Sequence, residues 1–316
     1  MTSTAQAFSG LRPLMFAIAY RMLGSVSEAE DIVQEAFLRY HRATSDGTVA
    51  LESPKAYLSA VTTRLCIDHA RSARVRRETY VGPWLPEPLV TDLAAPGSAN
   101  WPEVDPAGLA EQSDTLSMAF LLLLERLSPV ERAVFLLHDV FGYGYDEVAG
   151  IVGRGEQACR QLGYRARKHV AEHRRRFDAS RGQSAELAER FFAAMVAGDM
   201  DGLISMLAAD AVVTGDSGGV PPSWPRPIIG GDRIARLFAA LGGQLVQLGG
   251  TARLTGINGQ PGAMFVDADG RLISVMALDV ADGQVTAVRS VISRDKLRHL
   301  GPLADLADLL SQVRWR

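Results

Sequence analysis

Residues 146–168 read Asp146-Glu147-Val148-Ala149-Gly150-Ile151-Val152-Gly153-Arg154-Gly155-Glu156-Gln157-Ala158-Cys159-Arg160-Gln161-Leu162-Gly163-Tyr164-Arg165-Ala166-Arg167-Lys168. The spacing predicts a short helix from Asp146 to Val152, a tight turn at Gly153-Arg154-Gly155, and a longer helix from about Glu156 to Phe177. Two helices joined by a short glycine-containing turn, the second one basic, form the helix-turn-helix pattern. On the second helix Cys159, Leu162, Ala166 and Val170 fall on one face, and Gln157, Arg160, Gln161, Tyr164, Arg165 and Lys168 on the other. Just upstream, Ser128-Pro129-Val130-Glu131 is a helix start, with Ser at the cap, Pro at the first helical position and Glu three past the cap. Val134, Leu137 and Phe141 continue that helix's apolar face until Gly142 and Gly144 break it.

An apolar face opposite Arg, Gln and Lys suits a helix lying in a DNA major groove. There Arg and Lys meet guanine edges or phosphates, and Gln meets adenine. The plainer alternative is a solvent-exposed basic helix. Charge segregation favours a polyanion partner. The 316-residue chain carries a formal net charge of only −3. Yet residues 154–181 hold nine basic and three acidic side chains, a local +6, and residues 64–78 hold five against two, a local +3. Between them, from Glu78 to Glu125, there are eight acids and no Lys or Arg. That acidic, proline-rich stretch contains Trp84-Leu85-Pro86-Glu87-Pro88 and Ala95-Pro96-Gly97, spacings that forbid regular helix.

The first 80 residues read as helices. Leu11, Leu14, Met15, Ile18, Ala19 and Met22 recur at helical spacing up to Gly24. Ser27 precedes Glu30 by three and predicts a capping box for the next helix, whose buried stripe is Ile32, Val33, Ala36, Phe37 and Tyr40. Its opposite face presents Asp31, Gln34, Glu35 and Leu38. Ser53-Pro54 opens a third helix that ends in the first basic island.

From Ser184 onward the texture changes. An amphipathic helix carries Leu187, Phe191, Phe192 and Met195, and a second follows Gly198-Asp199. Strands are expected at 211–214, 244–254, 263–266, 272–280 and 285–292, with a helix at 232–241 and a helical tail at 296–310. Helices followed by a strand meander imply an α+β domain.

These motifs carry a resemblance. Glu30 to Arg39 resembles region 2.2 of bacterial sigma factors of the extracytoplasmic-function (ECF) group, and Tyr57-Leu58 through Leu65 to Arg74 is similar to their regions 2.3 and 2.4. Leu127 to Arg132 and Tyr164 to Lys168 resemble region 4. The stretch from Ala185 to Val213 resembles SnoaL-like domains of the NTF2 cone fold. Trp84 to Pro88 and Asn258-Gly259-Gln260-Pro261-Gly262 resemble signatures of the SigJ-like ECF subgroup that bears this extension. Asp216-Ser217-Gly218-Gly219-Val220 departs from that subgroup's Asp-Gly-Gly-Gly-basic motif at Ser217 and Val220.

The resemblance implies a multidomain chain. Residues 1–80 are an all-α region 2 domain, 81–113 an acidic linker, 114–178 an all-α region 4 helix-turn-helix domain, and 184–316 an α+β SnoaL-like regulatory domain. It implies that Asp31, Gln34 and Glu35 dock on core RNA polymerase. It gives Arg64, His69, Arg71, Arg74, Arg76 and Arg77 to the promoter −10 element. It gives Arg154, Gln157, Arg160, Gln161, Tyr164, Arg165 and Lys168 to the −35 element, with Arg174, Arg175 and Arg176 touching phosphate or solvent. Trp84, Leu85, Pro86, Glu87 and Pro88 are expected to pack on the C-terminal domain near Asp216, Gly218, Gly219, Asn258, Gly259 and Pro261. That contact would regulate the placement of the two DNA-binding domains.

The competing reading is an enzyme, since SnoaL-like folds include polyketide cyclases and isomerases, or a ligand sensor fused to a DNA-binding domain with a small ligand in its cone. Asp210, Asp216, Asp232, Asp267 and Asp279 are the candidate acids. Residues 184–298 contain no His, Cys or Tyr to serve as partners, and most of these Asp sit beside Gly in apparent turns, so no catalytic residue is expected. No cofactor or metal is expected: Cys66 and Cys159 belong to no metal-ligand spacing. No apolar run approaches the roughly 20 residues that span a bilayer, so no membrane partner and a cytoplasmic location are expected.

Overall fold

A computed structural model of the chain describes residues 4–45, 53–78, 80–91, 115–173, 181–220 and 226–312. Its residues group into two compact units, one of residues 1–79 and 100–174, the other of residues 80–99 and 175–316.

The first unit is helical. Helices α1 (Thr4–Leu23), α2 (Val26–Ser45) and α3 (Pro54–Glu78) pack mutually, burying Met15, Ile18 and Met22 of α1 against Ile32, Val33 and Ala36 of α2 and Leu58 and Cys66 of α3. The start of α2 differs from the sequence expectation. The cap is Ser25, whose Oγ accepts the Glu28 amide at 3.1 Å. Ser27 instead bonds the Ser25 hydroxyl, and Glu30 pairs with Arg12. The helix begins two residues early because Val26 is itself buried in its first turn. The third helix starts as expected, with Ser53 Oγ accepting the Ala56 amide.

Next come α4 (Met118–Leu124) and α5 (Pro129–Phe135), a π-helical turn (Leu136–Val140), α6 (Tyr145–Val152) and α7 (Glu156–His173). The Ser128–Glu131 capping box forms in both directions. These helices pack on α1 and α3 within the same unit. Buried Arg132 donates to the Met22 carbonyl and to Glu125, while Ser59 and Tyr143 share a 2.7 Å hydrogen bond. Arg21, sealed between helices, has its pKa lowered to about 10 by burial.

The second unit is α+β. Helices α8 (Arg181–Ala197), α9 (Met200–Met206) and α10 (Gly231–Gln247) pack against a seven-stranded sheet. Its strands are β1 (Val90–Thr91), β2 (Leu207–Asp216), β3 (Ile228–Ile229), β4 (Thr251–Ile257), β5 (Gln260–Val266), β6 (Leu272–Ala281) and β7 (Gln284–Val291), in the order β1-β4-β5-β6-β7-β2-β3. Among the pairs of these seven strands, only β2–β7 is parallel. Phe191, Phe192 and Phe238 pack edge-on in a core with Phe265, Met276 and Leu278 of the sheet.

Two expectations need correction. Residues 244–247 are helix and not strand, because Leu245 continues the buried Ile234–Phe238 stripe of α10 at helical spacing; β4 starts only after the Gly249 turn. The 296–310 tail is not one helix. It is α11 (Arg294–Leu297), a 3-10 turn (Arg298–Leu300) and α12 (Leu306–Gln312), interrupted where Gly301-Pro302 lets residues 302–304 hydrogen-bond to Leu272.

Candidate nucleic-acid interface

The turn between α6 and α7 is made possible by Gly153, which closes α6 at φ 67°, a left-handed conformation costly for other residues. It sets the register of α7. Cys159, Ala166 and Val170 point into the unit and are buried, while Arg154, Gln157, Arg160, Gln161, Tyr164, Arg165 and Lys168 all lie exposed. Tyr164, 65% exposed, places an aromatic ring among the cations. Arg160 pairs with Glu156 and lies 4.9 Å from the Tyr145 ring centre; Arg165 pairs with Glu131 and Lys168 with Glu172. Surface pairs of this kind are weak, about 0–1 kcal/mol, so they orient the cations without withholding them from phosphate. Arg167, absent from the sequence-derived set, is held by Asp139 and the Tyr145 hydroxyl and has its pKa raised by those bonds.

The first basic island is divided. Arg64 donates from Nε to the Ile151 carbonyl and from Nη2 to the Gly150 carbonyl, both at 2.8 Å, so its guanidinium caps α6. This contact competes with the DNA role expected for Arg64. His69 pairs with Glu28, and exposed Arg71 with Asp68. The side chains of Arg74, Arg76 and Arg77, and all of Arg174, Arg175 and Arg176, lie outside the described residues. On α2, Asp31 and Gln34 are exposed, Glu35 pairs with Arg39, and neighbouring Leu38 is also exposed.

The second unit binds residues 80–91 as an extended strap. Asp216, 1% exposed at the end of β2, is its anchor. Its carboxylate accepts from the Tyr80 hydroxyl (2.6 Å), the Leu85 amide (2.7 Å), the Gly218 amide (3.0 Å) and Lys296 Nζ (2.6 Å). Lys296 also donates to the Leu85 carbonyl at 2.5 Å and sits 4.4 Å from the Trp84 ring centre and 4.9 Å from that of Tyr80. Burial, then the bond to Asp216, push the Tyr80 pKa up. Further along, Leu85, Pro86, Glu87 and Pro88 are buried, and His299 donates to the Pro88 carbonyl.

Asn258 grips Leu89 twice, its side-chain Oδ1 accepting from the Leu89 N–H and its backbone N–H donating to the Leu89 carbonyl. Asn258 and Gly259, both at positive φ, form the two-residue hairpin between β4 and β5 and aim those groups at the strap. Gly259 donates to Thr91 Oγ1, and Pro261 sits in β5 opposite Gly256. Gly219 faces Val81 so closely that a Cβ there would stand 3.0 Å from the valine Cβ.

The sequence placed residues 81–113 in a linker; residues 80–91 are instead part of the second unit. The sequence reasoning missed Tyr80, Lys296 and His299. The tyrosine-free count over 184–298 was true, but Tyr80 reaches Asp216 from outside that span. The turn assignment of the acids also needs correction. Asp279 is buried in β6 and bound by Arg289 and Gln260, and Asp210 and Asp232 lie in β2 and α10; Asp267, holding Arg271, and Asp216, accepting the Gly218 amide, serve turns. Burial works against Asp267 ionising, but the Arg271 bonds outweigh it and lower its pKa. Among the described residues no group of three or more His, Cys, Asp or Glu could hold a metal, and no helix is long and apolar enough to cross a membrane.

Residues 7–76 match the Sigma-70 region 2 family and residues 117–170 match Sigma-70 region 4. The ECF RNA polymerase sigma factor SigJ of Mycobacterium tuberculosis is 38% identical over 92% of this chain and 91% of its own. The chain belongs to the ECF sigma factors. Probable sigma factor SigI of the same species is 32% identical over 92% of this chain and 93% of its own. The crystal structure of SigJ superposes with a TM-score of 0.70 at 36% identity, covering 94% of this chain and 99% of that one. The segments that match regions 2 and 4 are helical, and a sheet-containing unit follows.

Proposed function

We propose that this ECF sigma factor docks core RNA polymerase through Asp31, Gln34 and Glu35 on α2, reads the −35 element with the exposed face of α7, and engages the −10 element with the basic end of α3. The observation that carries this is the exposed face of α7. All seven side chains expected to meet the −35 element are solvent-facing on or beside one helix, opposite buried Cys159, Ala166 and Val170. The C-terminal unit modulates this activity through the strap that residues 84–88 form on it. An acid-base role for Asp216 is disfavoured, because its oxygens already accept four structural donors.

In vitro transcription with core polymerase and the promoter of a neighbouring gene tests the reading. Promoter-dependent transcripts are expected, and replacing Asp31 and Glu35 by Arg should lower core binding in a folded protein. Trp84→Ala and deletion of residues 184–316 should each change transcription, with effects that do not add, because both act through one contact. Absence of any promoter-dependent transcript would remove the sigma reading; additive effects would remove only the strap's part in it.

A further inference from the structure

The strap is held in the manner of a bound peptide. It is extended, with prolines at 83, 86 and 88, and its polar backbone groups are met by the second unit. The Leu85 amide and carbonyl go to Asp216 and Lys296, the Pro88 carbonyl to His299, and both Leu89 groups to Asn258. Val90 and Thr91 then add an antiparallel edge strand to β4. Backbone capture plus strand addition to a sheet edge, with a buried pocket for one side chain, here Leu85, is a general mode of peptide recognition. The close approach requires Gly256, where a Cβ would stand 2.4 Å from Thr91 Oγ1.

The receptor also has a core of its own. The buried cluster that joins α8, α9 and α10 to the sheet draws its members from residues 187–288 and uses none of the strap. In sequence the strap interrupts the helical unit, lying between α3, which ends at Glu78, and α4, which begins at Met118. It is therefore a tethered segment, and the core of the unit that holds it is built without it.

We infer that the C-terminal unit is a peptide-recognition module: residues 80–91 occupy it in cis, and an extended segment of a partner protein with the same order of groups — aromatic, leucine, proline, acidic, proline, leucine — displaces them in trans. The requirements are read from the groove. Lys296 offers a cation to the aromatic ring, Leu85 is fully buried, and prolines at 86 and 88 hold the segment extended. The inference rests on the strap contact and not on promoter activity, so its failure would leave the sigma reading untouched.

The experiment uses the full chain and a fluorescein-labelled peptide of residues 80–91, followed by anisotropy. In the intact chain the tethered copy competes at an effective concentration on the order of millimolar, so the peptide binds weakly. Leu85→Asp in the full chain sets a carboxylate beside Asp216 and releases the strap. This variant should bind the peptide saturably and at least ~10-fold more tightly than the unaltered chain. Trp84→Ala is the second releasing variant should the first fail to fold. Asn258→Gly, which keeps the positive φ of the turn but removes the side-chain acceptor, should weaken peptide binding several-fold when combined with either. A peptide carrying Leu85→Asp should not bind. The inference is overturned by lack of saturable binding to both released chains. It is equally overturned by binding that tolerates the altered peptide or Asn258→Gly, or by released chains that dimerise and exclude the peptide, which would assign the groove to a second copy.

Discussion

Asp216 shows what a single buried carboxylate can organise. A charge removed from water is tolerated only when paired and hydrogen-bonded, and here one lysine, one phenol and two amides do both. Lys296→Met leaves that carboxylate buried and unpaired, a change that costs about 3–5 kcal/mol in such sites. The local consequence is faster hydrogen exchange at the Leu85 and Leu89 amides, by at least ~10-fold if about 1.4 kcal/mol or more of strap stability is lost. Unchanged protection would show that the pair is not what holds the strap. Tyr80 supplies a pH test. Its pKa is raised, so its contribution is fully present below the ordinary tyrosine value of about 10 and is lost as pH rises through the higher folded value. Ultraviolet difference titration of the protein against Tyr80→Phe should show this phenolate appearing only above the ordinary value. Ionisation at about 10 would contradict the buried hydrogen bond.

Among the elements, α7 has the most direct chemical test. Arg160, oriented by Glu156 and the Tyr145 ring, and its neighbour Gln161 lie on the exposed face proposed to read base edges. Arg160→Ala or Gln161→Ala should cost about 1–3 kcal/mol on the preferred promoter and relax base preference at one position. A uniform loss across promoter variants would make these phosphate contacts only. Helix α3 behaves differently. With Arg64 capping α6, Arg64→Ala should destabilise the first unit by about 1.5 kcal/mol in denaturant unfolding, whatever its effect on DNA. An unaltered midpoint would mean those bonds exchange freely with water. Element types were legible from periodicity and caps, as Ser128-Pro129-Val130-Glu131 shows. The 244–247 misreading arose because Leu245 and Val246 look alike in strand and helix patterns, and only packing beside Phe238 decides between them.

At the scale of the whole helical unit, the arrangement of α3 and α7 has a geometric consequence. Elements centred near −10 and −35 are about 25 base pairs apart, roughly 85 Å along B-DNA at 3.4 Å per step. Helix α3 packs directly on α6, and α6 on α7. Packed helices lie 8–10 Å apart, which puts the two basic helices within about 20 Å where they pack. With the roles proposed for α3 and α7, the two helices cannot both reach their elements in this closed form. Spin labels at Asp68→Cys and Glu172→Cys, both exposed positions, should therefore separate by tens of ångströms when promoter-bound holoenzyme forms. Native Cys66 and Cys159 are buried, and burial raises their thiol pKa, so they should not compete for label. An unchanged distance would show that the closed form itself is the active one.

Sequence alone determined much of the local chemistry: most helical segments, the caps at Ser53 and Ser128, which face of α7 is basic, and that Trp84 to Pro88 could not be helix. These follow from interactions within a few residues and from the 3.6 and 2.0 periodicities, which the order of residues carries directly. Tertiary structure decided what those groups meet. Arg64 finds the carbonyls of α6 across 87 positions, and Asp216 receives its phenol from Tyr80 across 136 and its lysine from residue 296. No spacing rule links such partners. They are chosen because a buried charge or an unpaired carbonyl must be satisfied by whatever donor the packing of the whole unit brings within about 3 Å.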